Sequence, residues 1–305
     1  MTSIGLVLGA GGLTGTAFHA GALTALAEDV GWDAREAEIV VGTSAGATSA
    51  ALVRAGFPPQ DYLPRVLGRP LSAEGEAILG GLPPLVDPQP GTGRRGGPAS
   101  PTLLRAVVRH PWRYRPGVVL AGLLPPGDRP VDQTGGVLRP LFDAWPQRRM
   151  WVCAVRLSDG SRVVFGRDTV AAVADAVSAS CAVPGYFEPA EIAGERYVDG
   201  GVYSFTSLDL VAGLGLDVVV VSAPLGTTDW VAADPGNALR VPARAQLERE
   251  AAAVRRGGTR VVVLQPDSVL RRVMGTRSMV VGKRPAVALA AREYASSVLR
   301  DGWQR

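Results

Sequence analysis

Gly42-Thr43-Ser44-Ala45-Gly46 sets a serine among small residues, directly after the apolar run Ile39–Val41 and before a stretch of helix-forming small residues. A G-x-S-x-G sequence between a strand and a helix suits a nucleophile elbow. The serine sits on a tight turn where only small neighbours fit. The N–H groups opening the next helix can stabilise an oxyanion growing beside it. The same five residues also suit a plain turn in which Ser44 caps the helix. The strand-before, helix-after context favours the nucleophile.

An attacking serine needs a base. The chain has two histidines, His19 and His110. A triad in the order serine, acid, histidine needs a histidine well after Ser44, and nothing beyond residue 110 qualifies. His19 precedes the serine on the first expected helix, and His110 lies in Arg109-His110-Pro111. Both are expected to be partly exposed helix or loop residues. The inventory therefore points to a carboxylate acting directly on the serine. Asp199, in Tyr197-Val198-Asp199-Gly200-Gly201, ends a short apolar run. The two glycines after it leave its oxygens uncovered and allow close backbone approach. Asp-Gly-Gly also suits an ordinary β-turn.

A third element is Gly9-Ala10-Gly11-Gly12-Leu13-Thr14-Gly15, after the apolar run Ile4–Leu8. Such a loop can present N–H groups to an oxyanion or to a dinucleotide pyrophosphate. The dinucleotide pattern fits at Gly9 and Gly11. It fails at Thr14, and no acidic residue ends the second strand to hold a ribose. A nucleotide-binding oxidoreductase is thus the weaker alternative.

These motifs need a scaffold that brings strand ends together. The chain reads strand (Ile4–Leu8), helix (Thr16–Glu28), strand (Glu38–Val41) and helix through Arg54. That βαβα start implies an α/β protein with a parallel sheet. Residues from about 57 to 147 are rich in Pro, Gly and Arg, with short helical patches such as Thr102–His110. They are expected to form an irregular or helical insertion, lid-like and with a mobile loop near Gly91–Gly97, within one domain spanning 1–305. The α/β pattern then resumes. A hairpin of Met150–Leu157 and Arg162–Phe165 turns at Ser158–Ser161. A helix covers Thr169–Ser180, and a strand runs Arg196–Val198. Asp217–Ala223 and Thr259–Gln265 read as buried parallel strands, with helices over Pro242–Arg256 and Arg284–Arg300.

Composition narrows the function classes. The net charge of +4 is almost all arginine, with Lys283 the single lysine. The arginines are scattered and lack an aromatic-rich RNA-binding motif, so no nucleic-acid partner is expected. Cys153 and Cys181 lie in apolar runs and are expected to be buried free thiols. No Cys/His cluster suggests a metal, and no cofactor is expected. There is no basic, apolar leader at the N-terminus and no apolar run of about 18 residues. A cytoplasmic protein, soluble or peripherally bound, is the simplest expectation.

Together, the glycine-rich loop, Gly42–Gly46 and Asp199–Gly201 resemble, in order, the motifs of the patatin-like phospholipase family. The stretch Ala179-Ser180-Cys181-Ala182-Val183-Pro184-Gly185-Tyr186-Phe187-Glu188-Pro189 is similar to that family's small-residue segment before the aspartate. The likeness covers about Ile4–Arg54 and Trp151–Val221. It implies a three-layer α/β/α fold and a Ser-Asp dyad that hydrolyses lipid or fatty-acyl esters. By position, Ser44 would be the nucleophile and Asp199 the base. N–H groups of Gly9, Gly11, Gly12 and Ala45 would form the oxyanion hole, with Gly15, Gly42, Gly46, Gly200 and Gly201 supporting the motifs. Two departures stand out. Thr14 occupies the place of the family's usual Arg or Lys, and Phe205-Thr206-Ser207 replaces the Asn-Pro of many members. A lipid-binding member without turnover is the alternative these departures suggest.

In the insertion, Trp112, Tyr114 and Trp145 lie among Arg65, Arg69, Arg94, Arg95, Arg105, Arg109, Arg113, Arg115, Arg148 and Arg149. Arg109–Arg115 could rest at an anionic lipid interface or be a solvated loop with packing aromatics.

Overall fold

The computed structural model describes residues 2–81, 96–229 and 239–303. Its centre is an eight-stranded sheet in the order β5-β6-β3-β2-β1-β7-β8, with β4 also paired to β3. The strands are β1 (Ile4–Leu8), β2 (Ile39–Thr43), β3 (Arg149–Arg156), β4 (Arg162–Phe165), β5 (Ala190–Ile192), β6 (Glu195–Asp199), β7 (Val218–Ser222) and β8 (Arg260–Leu264). β3, β2, β1, β7 and β8 run parallel. β4, β5 and β6 add antiparallel pairings at one side. Valine-rich runs buried on both faces explain the parallel core, because helices must cover both sides of such strands.

Helices α1 (Gly12–Val30), α2 (Ala45–Arg54), α8 (Val173–Ser180) and α11 (Arg284–Gly302) pack on one face. There Leu6, Leu8, Val40, Val152 and Val220 meet Phe18, Leu23, Ala47, Val177 and Ala291. Alternate strand residues point the other way, as the two-residue period requires. Val7, Val41, Cys153, Val219 and Val221 meet Leu247, Ala251 and Val254 of α9 (Arg240–Arg256) on the second face. The arrangement is a three-layer α/β/α fold. A further helix, α10 (Ser268–Met274), links β8 to α11.

The described residues between α2 and β3 are mainly helical. They hold α3 (Tyr62–Leu67), α4 (Ala73–Leu79), α5 (Pro101–Arg109), α6 (Pro116–Leu123) and the short α7 (Asp132–Gly135). Proline sits at the first turn of α5 and α6, where its missing N–H costs nothing. Proline read as a breaker thus hides helix starts in this segment. Of the glycine-rich loop expected at 91–97, residues 91–95 lie outside the described residues. Both cysteines are free and buried.

Candidate active site

The sheet register brings Ser44 and Asp199 together. Thr43, the last residue of β2, pairs with Cys153 of β3. Asp199, the last residue of β6, pairs with Ala154, the next residue of β3. Two strands distant in sequence therefore end side by side against consecutive residues of a third. Gly200 is required there: a Cβ on it would overlap the Cys153 carbonyl and crowd Thr43.

Ser44 has φ 55° and ψ −120°, a left-handed φ that is strained for a residue with a Cβ and costs about 1–3 kcal/mol. The surroundings enforce it. A Cβ at Gly42 would come within 2.6 Å of the Ala47 backbone, and one at Gly46 would overlap the Leu8 carbonyl. Only glycines let α2 press onto β1 and β2 closely enough to make the turn. Ser44 makes no side-chain cap hydrogen bond, which sets aside the helix-cap alternative. Its backbone N–H donates instead to Ser180 Oγ (2.8 Å), and Ser180 Oγ donates to the Cys153 carbonyl (2.6 Å). Ser180, at the end of α8, thus ties the turn to β3.

The Asp199 carboxylate lies close enough to the Ser44 hydroxyl for that hydroxyl to favour its charged form. Its Oδ1 accepts the Gly201 N–H at 2.7 Å. Both residues are 5% exposed. Burial disfavours the charged carboxylate and pushes Asp199 up to about 6, against the opposing pull of the Ser44 hydroxyl and the Gly201 N–H. A group in that range can take a proton and return it near neutral pH.

Neither histidine can serve as the base. His19 is fully buried, not partly exposed as the sequence suggested. Its Nε2 contacts the Gly9 carbonyl and its Nδ1 contacts Ser222 Oγ, each at 2.8 Å. A carbonyl only accepts, so Nε2 carries the proton and Nδ1 accepts from Ser222. Burial holds His19 down at about 4, so it stays neutral and ties α1 to the glycine-rich loop and β7. His110 is exposed at the end of α5.

The glycine-rich loop divides its N–H groups. Gly9 donates to the Ser222 carbonyl (2.9 Å), Ala10 to Phe205 (2.7 Å), Thr14 to Ser278 (3.0 Å) and Gly15 to Gly11 (2.9 Å). Gly9 therefore leaves the expected donor set, because its N–H is already engaged. Among the described residues, the N–H groups of Gly11, Gly12 and Ala45 have no partner. Gly15 lies against Ala45, where an added Cβ would be 3.2 Å from the alanine methyl, and Gly201 lies beside Ala10. Thr14 is buried, and its hydroxyl turns back to the Gly11 carbonyl at 3.4 Å.

Sequence reasoning missed three supports. In the sequence Ser180 stands out only as part of a small-residue stretch. Ser278 and Met279 cover Gly12, where a Cβ would come within 2.9 Å of each. Glu250 is buried on α9 and accepts from Ser204 Oγ (2.6 Å), Thr206 Oγ1 (2.7 Å) and the Leu208 N–H (3.0 Å). It holds the segment that stands where Asn-Pro was expected, and whose Phe205 carbonyl anchors Ala10. No local pattern marks it, since its partners lie more than forty residues away in the chain.

The sheet, with Ser44 after the end of parallel β2 and Asp199 at the end of antiparallel β6, places the protein in the α/β class. The family assignment follows from the sequence model of the patatin-like phospholipases, which matches residues 6–212; the chain belongs to that family. Its fold is similar to that of VipD from Legionella pneumophila, at 14% identity and TM-score 0.45 over 98% of this chain and 67% of that one. It is also similar to the type III effector ExoU, at 19% identity and TM-score 0.39 over 98% of this chain and 53% of that one. An ExoU from Pseudomonas aeruginosa in complex with SpcU matches at 16% identity and TM-score 0.36, over 100% of this chain and 53% of that one. The chain thus spans only about half the length of ExoU.

Proposed function

We propose that the chain is a serine lipid acyl hydrolase that cleaves carboxylic esters through Ser44 and Asp199. The observation that carries this reading is the strained Ser44 turn with a buried, proton-accepting Asp199 beside it and no histidine in reach. Ser44 Oγ bonds to the ester carbonyl carbon while its proton passes to Asp199. The carbonyl oxygen takes the negative charge and is held by the N–H groups of Gly11, Gly12 and Ala45. Collapse breaks the bond to the alcohol, which leaves with the proton from Asp199. Water then attacks the acyl-Ser44 ester, gives a proton to Asp199, and frees the fatty acid as that proton returns to Ser44.

Hydrolysis of a short-chain p-nitrophenyl ester tests this in wild type, Ser44→Ala and Asp199→Asn, with folding checked on each. Each variant is expected to lose at least about 1,000-fold in kcat/KM. Because the base must be ionised, wild-type kcat/KM should rise with pH and level off above about 6. Turnover surviving in folded Ser44→Ala would mean the nucleophile is another residue. A folded wild type inactive on short esters and on phospholipid vesicles would point to lipid binding without hydrolysis.

A further inference from the structure

The hairpin of α5 and α6 is built backwards for a solvated surface element. Residues 96–127 contain four arginines, one histidine and no Asp or Glu. Along α5 and the turn after it, Arg105, Val108, Arg109 and Trp112 recur at helical spacing and all face outward. Val108 is 83% exposed and Trp112 78%. Leu120 and Leu123 of α6 are also more than half exposed. Four of the ten large hydrophobic residues most exposed among the described residues thus fall within one 16-residue stretch, Val108–Leu123, too concentrated to count as scattered surface apolars.

The opposite side of the hairpin is fixed. Leu103, Val118 and Ala121 pack with Val155, Leu157 and Val198 against β3 and β6. Arg115 is the one arginine of the four that turns inward. Its guanidinium lies 4.0 Å from the Tyr203 ring and donates to the Tyr203 carbonyl at 2.7 Å. Gly117 lies against the Val202 carbonyl. These contacts bind the hairpin to the residues that directly follow Asp199. The apolar and cationic face therefore sits on an element rigidly joined to the Asp199 strand end.

We infer that Arg105, Arg109 and Arg113, with Val108 and Trp112, form a docking surface for an anionic phospholipid bilayer. Among the described residues no carboxylate pairs with these three guanidinium groups, which complement the phosphate layer, while an indole and a branched apolar side chain suit headgroup depth. The surface would deliver the lipid substrate of the Ser44–Asp199 reading, and rests on that reading only for its purpose.

The test is vesicle co-sedimentation of the full chain in the Ser44→Ala background, which separates binding from turnover. Vesicles are phosphatidylcholine alone, or phosphatidylcholine with about a third phosphatidylglycerol. The expected result is partitioning onto the anionic vesicles, little onto the neutral ones, and a steep loss with added salt. Arg105→Gln/Arg109→Gln/Arg113→Gln should weaken partitioning about 100-fold, and Val108→Ser/Trp112→Ser about 10-fold. With Ser44 restored, both should keep wild-type turnover of a soluble ester, showing that they fold. Partitioning that responds in this way in a chain without esterase activity would uphold the docking surface while the hydrolase reading fell. Absence of partitioning onto anionic vesicles, equal partitioning by all three proteins, or binding only to an anionic polymer would overturn it.

Discussion

The strand-end site and the α5–α6 hairpin beside it dispose of their polar and apolar groups in opposite senses. At the strand ends, Ser44, Asp199, His19, Ser180 and Glu250 are all buried, and each has named partners. In the hairpin, apolar side chains face out, and Arg105, Arg109 and Arg113 are exposed. A buried polar group is tolerated only when its hydrogen bonds are made. The first region is therefore over-determined, and small changes in it should propagate to the reacting groups. The second has an outward face that contributes little to the folded state, so that face is free to be shaped by what it touches.

The largest effect expected from breaking this contrast is His19→Ala. It would leave the Gly9 carbonyl and Ser222 hydroxyl without their partner and open a cavity, costing about 3 kcal/mol at pH 7. The cost should depend on pH. The folded protein holds His19 at about 4, below the usual 6.5, so it binds fewer protons there than the unfolded chain does. Its stabilising contribution is complete above about pH 6.5 and is lost as pH falls toward 4, at about 1.4 kcal/mol per pH unit. Denaturant melts of both proteins across that range should show the gap nearly closing at the acid end. A constant gap would mean that His19 acts by packing alone.

Ser180→Ala should have a smaller and more local effect. It removes the acceptor for the Ser44 N–H and the donor to the Cys153 carbonyl, which costs about 1–2 kcal/mol of stability. The looser turn should lower kcat about 10-fold with KM little changed, because the nucleophile and base lose alignment while the binding surface stays. Ser180→Thr keeps the hydroxyl and should recover part of the loss. Wild-type kcat in Ser180→Ala would show that the glycines alone hold the turn.

The parts of the candidate site that are legible in the sequence are those that leave a local pattern. Gly42–Gly46 and Asp199–Gly201 were legible because small residues are obligatory where backbones come within van der Waals contact. The parallel strands were legible as β-branched runs. His19, Ser180 and Glu250 were not legible in these roles, because their partners lie 203, 136 and 46 residues away for Ser222, Ser44 and Ser204, and no spacing rule reaches that far. Gly9 looks like an oxyanion donor in the sequence, but its N–H is spent on the Ser222 carbonyl, which no sequence pattern shows. The insertion hid its order for another reason. Its prolines begin helices as well as ending them. Its aromatic and arginine residues also divide between inner and outer faces. Trp145 donates inward to the Met150 carbonyl and half-buried Arg65 lies over Phe57, whereas Trp112 faces out.

The smallest expected effect is the most direct check on the hairpin. Val108 and Trp112 have little of their surface covered, so Val108→Ser/Trp112→Ser gives up almost no apolar burial on folding. Its stability should stay within about 0.5 kcal/mol of wild type, as for ordinary surface substitutions. Leu103, one turn away on α5, is fully buried; Leu103→Ala should cost about 3 kcal/mol by the same melt. That contrast on one short helix separates the face that holds the hairpin to β3 and β6 from the face turned away. If instead Val108→Ser/Trp112→Ser were destabilised by several kcal/mol, those side chains would be packed against protein in solution. The outward face would then belong to the fold of the chain rather than to a surface available for docking.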